Sequence, residues 1–212
     1  MRSPFAEHET ERLIAAMLPD VAFDGWTRHA VREAARRADI PVGEALALFP
    51  RGAPDLIAAF SRWADHRMLE RLAAESIEQL SLSERIALAL RLRLSVLVPW
   101  REAVRRGVPV LAMPHNTALG LRLLYATVDA IWHGVGDAST DFSFYTKRAT
   151  LAGIHAAAML YWLDDRSPDG ADTEAFIDRR LADLHRLTGL RKRLATAAER
   201  LPNPFRLLRP SR

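Results

Sequence analysis

The chain has 212 residues, 30 Lys+Arg against 26 Asp+Glu for a formal charge of +4, 49% hydrophobic residues and no cysteine. That length supports one sizeable core, and the missing cysteines exclude a disulfide framework, a zinc-thiolate site and a thiol nucleophile. Ala (35) and Leu (30) far outnumber Gly (10), a bias toward strong helix formers that points to an all-α protein too apolar for disorder.

The cations are unevenly placed. Residues 1–175 carry 20 basic and 23 acidic side chains, net −3, whereas 176–212 carry 10 basic and 3 acidic, net +7. The longest uncharged helical stretch, 149–163, has 15 residues. It would span roughly 22 Å at 1.5 Å per residue, short of the about 30 Å of a hydrocarbon core, so no segment is expected to cross a membrane. The opening MRSPFAEHETERLIAAML carries three glutamates and lacks the apolar run of a secretory signal or the acid-poor character of a transit peptide. The expectation from these residues is a cytoplasmic, bacterial protein.

Prolines and caps predict about ten helices in one domain, 1–212. The first covers 4–18 and stops at Pro19; the second covers 27–38 with Thr27 as N-cap; the third, 42–49, sits between Pro41 and Pro50. Pro54 at a first-turn position opens a longer helix through Ile57, Phe60, Trp63 and Met68, and Ser81 with Glu84 has capping-box spacing for the next. Leu90 to Leu94 alternates with period two, yet Ile86, Leu90, Leu94 and Leu97 fit one helical face, and no partner strand lies nearby, so the segment reads as helix. A short helix at 100–106 precedes longer ones at 116–133, 141–163 and 173–188, with Gly134 and Gly136 ending the first of these. Gly189 separates a last helical stretch, 190–201, from the tail.

The first 60 residues have helix-turn-helix spacing and look like the N-terminal module of tetracycline-repressor-type regulators. Reading DNA demands donors for base edges and cations for phosphates. The candidate recognition segment, Val42 to Phe49, offers no Arg, Lys, Asn, Gln, Ser or Thr, and 20–60 holds 5 basic and 6 acidic residues. A helix-turn-helix packing unit without nucleic-acid binding fits better; a regulator that binds a hydrophobic ligand is the rival reading.

No nucleophile elbow, phosphate loop or paired di-iron motif occurs, and Gly134 and Gly136 break the helix that would align His133 with Asp137. Neither enzymatic activity nor a cofactor or metal is therefore expected. His155 reads either as a satisfied core histidine or as a cavity lining. The corner VDAIWHGVGDASTDFSFYTKRA gathers Asp129, Trp132, Asp137, Asp141, Phe142, Phe144, Tyr145, Lys147 and Arg148 around glycines. Asp137, Asp141 and Phe142 suit a turn, a cap and a core plug. Phe144, Tyr145 and Arg148 read equally as core aromatics beside a cation or as interface anchors.

Asp129-x-x-Trp132, Gly136-Asp137-x-Ser139-x-Asp141-Phe142 and Tyr145-Thr146-Lys147-Arg148-Ala149 together resemble the characteristic stretch of the ninth coenzyme Q biosynthesis protein family, ubiquinone-biosynthesis accessory proteins that bind lipid. Leu48-Phe49-Pro50-x-Gly52, Trp100 to Ala103, Leu163-Asp164-Asp165-x-Ser167-Pro168 and Phe176 to Arg180 extend the resemblance over roughly 10–185. It implies a tetracycline-repressor-like fold, a homodimer, and a hydrophobic cavity for an isoprenoid quinone precursor or other lipid. It also implies presentation of that precursor to the demethoxyubiquinone hydroxylase through a patch of Asp129, Trp132, Phe144 and Tyr145, to which Arg148 is added as a neighbouring cation. Phe144 stands where the family usually has Trp.

In this layout 1–60 is the helix-turn-helix-like part, 61–188 the cavity and dimer bundle, and 189–212 a basic amphipathic end. The Ala-rich helix 149–163 suits close packing or an internal void; with the resemblance, Leu94, Leu97, Leu121, Leu124, Val128, Leu151, Ile154, His155, Ala158 and Met159 become candidate cavity residues. In the terminal region Leu187, Leu190, Leu194, Leu201 and Phe205 recur between Arg191, Lys192 and Arg193. That pattern reads as a peripheral membrane-surface element or as an ordinary terminal helix. The combined expectation is a lipid-binding accessory protein on the inner membrane of a bacterium.

Overall fold

The computed structural model describes residues 4–136 and 143–183, with side chains described for 8–136 and 146–183. Among them lie eight α-helices with both ends in view and no strand: α1 (Pro4–Asp24), α2 (Arg28–Arg37), α3 (Val42–Ala47), α4 (Ala53–Ala73), α5 (Leu82–Leu97), α6 (Arg101–Ala112), α7 (Thr117–Gly134) and α8 (Ser143–Asp164). A further helix, α9, starts at 171 and is described through 183. The count is slightly below the ten expected, and the stretch 190–201 lies outside the described residues.

Local chemistry sets most boundaries. Thr27 caps α2 by accepting from the Ala30 N–H at 3.3 Å. Ser81 and Glu84 form the reciprocal capping box of α5, and those bonds hold the Glu84 carboxyl below its usual pKa. Pro54 sits in the first turn of α4, behind Gly52 at φ +71. Leu90 to Leu94 is helical, inside α5.

Two prolines fail as stops. Helix α1 continues through Pro19 to Asp24, and α6 runs through Pro109 to Ala112 instead of ending near residue 106. An internal proline costs about 3 kcal/mol, but α1 buries Leu13, Ile14, Met17, Leu18 and Val21 to 1% exposure or less. At about 1.5–3 kcal/mol for each such side chain, packing on both sides of Pro19 outweighs the lost hydrogen bond.

Helix α1 packs on α2, α4 and α6, while α4 lies between α5 and α7, and α7 in turn contacts α8. One contiguous core runs from Leu13 in α1 to Leu181 in α9. At the α4–α7 crossing a Cβ on Gly134 would stand 2.8 Å from Leu69 Cδ2 and 2.9 Å from Leu72 Cδ2, so those side-chain ends would have to shift to admit it. The end of α8 is held from α6, where Arg101 donates to the Asp165 carbonyl at 2.7 Å and lies 4.7 Å above the Trp162 ring, and Arg105 donates to the Leu163 carbonyl. These arginines satisfy carbonyls that a helix C-terminus leaves open.

Candidate functional site

Helices α4 to α8 do not close completely. Between them lies a cavity of about 370 Å³. Trp26 before α2 and Ile57 and Phe60 of α4 form one wall, and Ala103, Val104, Gly107, Val108 and Leu111 of α6 another. Leu97 of α5, Leu121, Leu123 and Leu124 of α7, and Ala156, Met159 and Leu160 of α8 complete the apolar lining. Small residues keep this space open on three helices, and Trp26 is fixed as a wall because its indole N–H donates to the Ala103 carbonyl at 3.0 Å. The ring of Phe60 lies 5.3 Å from that of Trp26 and 5.9 Å from that of Trp63.

Exposure falls steeply from mouth to floor. Leu121 and Leu160 line the cavity yet are 62% and 56% exposed, whereas Arg93, Thr127 and His155 line it at 3%, 2% and 4%. The floor is polar. Asp65 Oδ1 accepts from Arg93 Nε at 2.7 Å and from the Thr127 hydroxyl at 3.0 Å, and Arg93 Nη2 reaches the Ser61 carbonyl at 3.4 Å. Burial raises the Asp65 pKa, against the opposing pull of Arg93 and Thr127. His155 is held neutral, with a pKa of about 3, chiefly by burial and secondarily by the charge of Arg93.

Of the ten candidate cavity residues, Leu97, Leu121, Leu124, His155 and Met159 line this space. Leu94, Val128, Leu151, Ile154 and Ala158 do not; they are buried in the surrounding core, on the sides of their helices that face other neighbours. Arg93, Thr127, Ser61 and the α4 aromatics were not among the candidates. Their signal is readable in retrospect: Arg93 interrupts the stripe Ile86, Leu90, Leu94, Leu97, and Thr127 sits between Leu123 and Ile131 at i±4.

At the α7–α8 corner, Arg148 is 5% exposed and donates to Asp129 at 2.8 Å, tying the two helices together. Trp132 is 5% exposed, with the Lys147 ammonium 5.6 Å from its ring centroid. Trp132 and Arg148 thus lie in the packed interior, leaving Asp129 half-exposed. Asp137, Asp141 and Phe142 lie outside the described residues, as do the side chains of Phe144 and Tyr145. So do the membrane candidates Leu187, Leu190, Arg191, Lys192, Arg193, Leu194, Leu201 and Phe205. Among the described residues, no helix is long and apolar enough to cross a membrane, and no cluster of three His, Asp or Glu could hold a metal.

The COQ9 family model matches residues 117–188, which include α7, α8 and the described part of α9. The mitochondrial ubiquinone biosynthesis protein COQ9-B of Xenopus laevis is 32% identical over 200 residues, covering 91% of this chain and 68% of the relative. The chain belongs to the COQ9 family. The bovine and human COQ9 proteins are each 33% identical over 202 residues, covering 92% of this chain, which spans 63% of their length. The TetR transcriptional regulator from Nitrosomonas europaea superposes with a TM-score of 0.65 at 23% identity, covering 82% of this chain and 97% of that one. That likeness concerns the fold alone, and it agrees with the tetracycline-repressor-like architecture expected from the sequence.

One expectation is overturned. The family relatives from cattle, frogs, human and fruit fly are named mitochondrial proteins of eukaryotes, against the cytoplasmic, bacterial inner-membrane placement read from the N-terminal residues. The inference rested on the absence of a targeting signal among those residues, and such an absence does not assign a compartment.

Proposed function

We propose that this protein is a non-enzymatic accessory factor of ubiquinone biosynthesis that holds an isoprenoid quinone precursor, or a similar lipid, in the cavity between α4 and α8. It acts as a homodimer at a membrane surface and hands its ligand to the demethoxyubiquinone hydroxylase at the α7–α8 corner. The observation that carries the reading is the apolar cavity of about 370 Å³ whose mouth carries exposed leucines, in a chain of a family whose members are named for ubiquinone biosynthesis. By comparison with a cavity of about 150 Å³ that takes one benzene, this volume accepts roughly fifteen non-hydrogen atoms. A head ring and the first one or two isoprene units fit, and a longer tail leaves through the mouth past Leu121 and Leu160.

The rival reading, a DNA-binding regulator, lacks its chemistry. The sequence of α3, Val42–Ala47, is VGEALA, with no donor for a base edge. In α2, Arg36 is paired with Glu33, and Arg37 with Asp20 and the Ala16 carbonyl, so both of these surface cations already have partners in the chain.

Mass spectrometry of lipid retained by the purified full chain, combined with flotation on anionic liposomes, tests the proposal. A quinone-like or other isoprenoid lipid is expected at up to one molecule per chain. Recovery of no lipid, no uptake of an added alkylquinone and no flotation would overturn it.

A further inference from the structure

Two nitrogen atoms on the cavity floor are buried without a hydrogen-bond partner among the described residues: Arg93 Nη1 and His155 Nδ1. Natural interiors leave few such groups, because each forfeits its hydration and receives nothing in return. Both belong to side chains that line the cavity, they come from different helices, and both residues are more than nine-tenths buried. Nε and Nη2 of Arg93 serve Asp65 and the Ser61 carbonyl, but Nη1 serves neither. At residue 155 a leucine would fill the same space without the penalty.

The geometry points to a built subsite: we infer that Arg93 and His155 receive the oxygen-bearing head of the cavity's ligand, which therefore binds with its polar end inward and its apolar chain toward the mouth. This rests on the reading of the cavity as a lipid site. Arg93 Nη1 offers N–H groups to an acceptor oxygen, while the neutral imidazole of His155 can donate or accept at Nδ1 according to its tautomer. A carbonyl, phenol or alcohol oxygen satisfies both once the two side chains, whose unpartnered nitrogens are covered, turn toward it.

Charge narrows the ligand class. The Arg93 charge is already matched by Asp65 at 2.7 Å, and His155 is uncharged, so the floor has no surplus cation. A phosphate or carboxylate head would enter an apolar cavity uncompensated, the costly case for a buried ion. The subsite accordingly selects a neutral oxygenated head over an anionic one, which excludes a phospholipid headgroup from the floor. The depth is also suitable. Thr127 lies six residues from Leu121 along α7, and His155 five from Leu160 along α8, a floor-to-mouth distance of about 8–9 Å along the helix axes, about one ring plus its first substituent.

The test is competition against a fluorescent apolar dye on the full chain with three ligands of equal tail: 2-hexyl-1,4-benzoquinone, hexylbenzene and 4-hexylbenzoate. Wild type is expected to bind the quinone at least ~10-fold more tightly than hexylbenzene, the value of a hydrogen bond from a charged donor, and to bind the benzoate most weakly. In His155→Leu, and separately in the paired variant Asp65→Leu with Arg93→Leu, the preference should shrink to less than ~3-fold with the hexylbenzene affinity kept. Thermal melts confirm that each variant is folded. Equal affinity of wild type for quinone and hexylbenzene, a preference that survives both variants, or tighter binding of the benzoate overturns the subsite and leaves the lipid cavity standing. Binding of none of the three overturns both.

Discussion

Two buried polar clusters, both centred on an aspartate, have opposite designs. In the turn between α8 and α9, Asp165 is saturated: Oδ1 accepts from the Ser167 N–H at 2.8 Å and its hydroxyl at 2.6 Å, and Oδ2 from the Thr173 N–H at 2.9 Å and its hydroxyl. Those bonds hold its pKa below the ordinary carboxylate range. On the cavity floor Asp65 is equally well bonded, but its partner Arg93 and the neighbouring His155, whose side chains line the cavity, each keep a buried nitrogen without a partner. A cluster that closes on itself serves folding alone. The open one, on the wall of a cavity, is the one proposed to be completed by a ligand.

The comparison can be broken by deletion. Arg93→Ala leaves Asp65 alone in the interior, and removing one partner of a buried pair is expected to cost about 3–5 kcal/mol in urea unfolding followed by circular dichroism. The paired Asp65→Leu/Arg93→Leu variant should recover most of that loss, because it removes both desolvation penalties together. A single variant no less stable than the pair would show that Asp65 does not depend on Arg93. Asp165→Ala takes the acceptor from the Ser167 N–H in the turn, from the Thr173 N–H in the first turn of α9 and from two hydroxyls, with an expected loss of about 2–3 kcal/mol. Because the folded-state pKa of Asp165 lies below its unfolded value, its contribution is present at neutral pH and is lost as acid protonates the carboxylate. The preference for quinone over hexylbenzene should survive Asp165→Ala and not Arg93→Ala, which separates a folding cluster from a binding one.

The sequence carried the helices well where local chemistry decides them: Thr27, Ser81 with Glu84, Pro54 and Gly136 each act at the place their spacing predicts, while Gly134 is the last residue of α7 itself. It misled at Pro19, because the burial that rescues α1 is contributed by α2, α4 and α6, which no local window contains. The cavity was half legible. Periodicity identifies which residues of α7 and α8 face inward, but whether an inward residue meets another helix or a void depends on how three helices diverge. Val128 and Ala158 therefore entered the core while Leu121 and Met159 reached the cavity. The polar floor was legible in principle, since Asp65, Arg93 and Thr127 each interrupt an apolar stripe, yet only the fold brings the three interruptions together.

The smallest expected effect is also the most selective. His155 titrates at about 3 in the folded chain against an ordinary 6.5, so between those values the unfolded state binds one proton more than the native state. Stability should then fall as pH falls, by about 1.4 kcal/mol for each pH unit below 6.5 and until the folded pKa is reached. At pH 7 the group is neutral in both states and contributes no slope. His155→Leu removes this proton uptake and also the buried nitrogen that lacks a partner, so it should match or exceed the wild type at pH 7 and pull further ahead at pH 5. Urea midpoints of the two proteins at pH 7, 6 and 5 measure the gap. A gap that stays constant across the three would mean that His155 is protonated in the native state or reaches water there, and the cavity floor would then be as open to solvent as its mouth. A gap that widens identifies a dry floor whose neutral histidine is held in place at a cost to stability that a ligand oxygen would relieve.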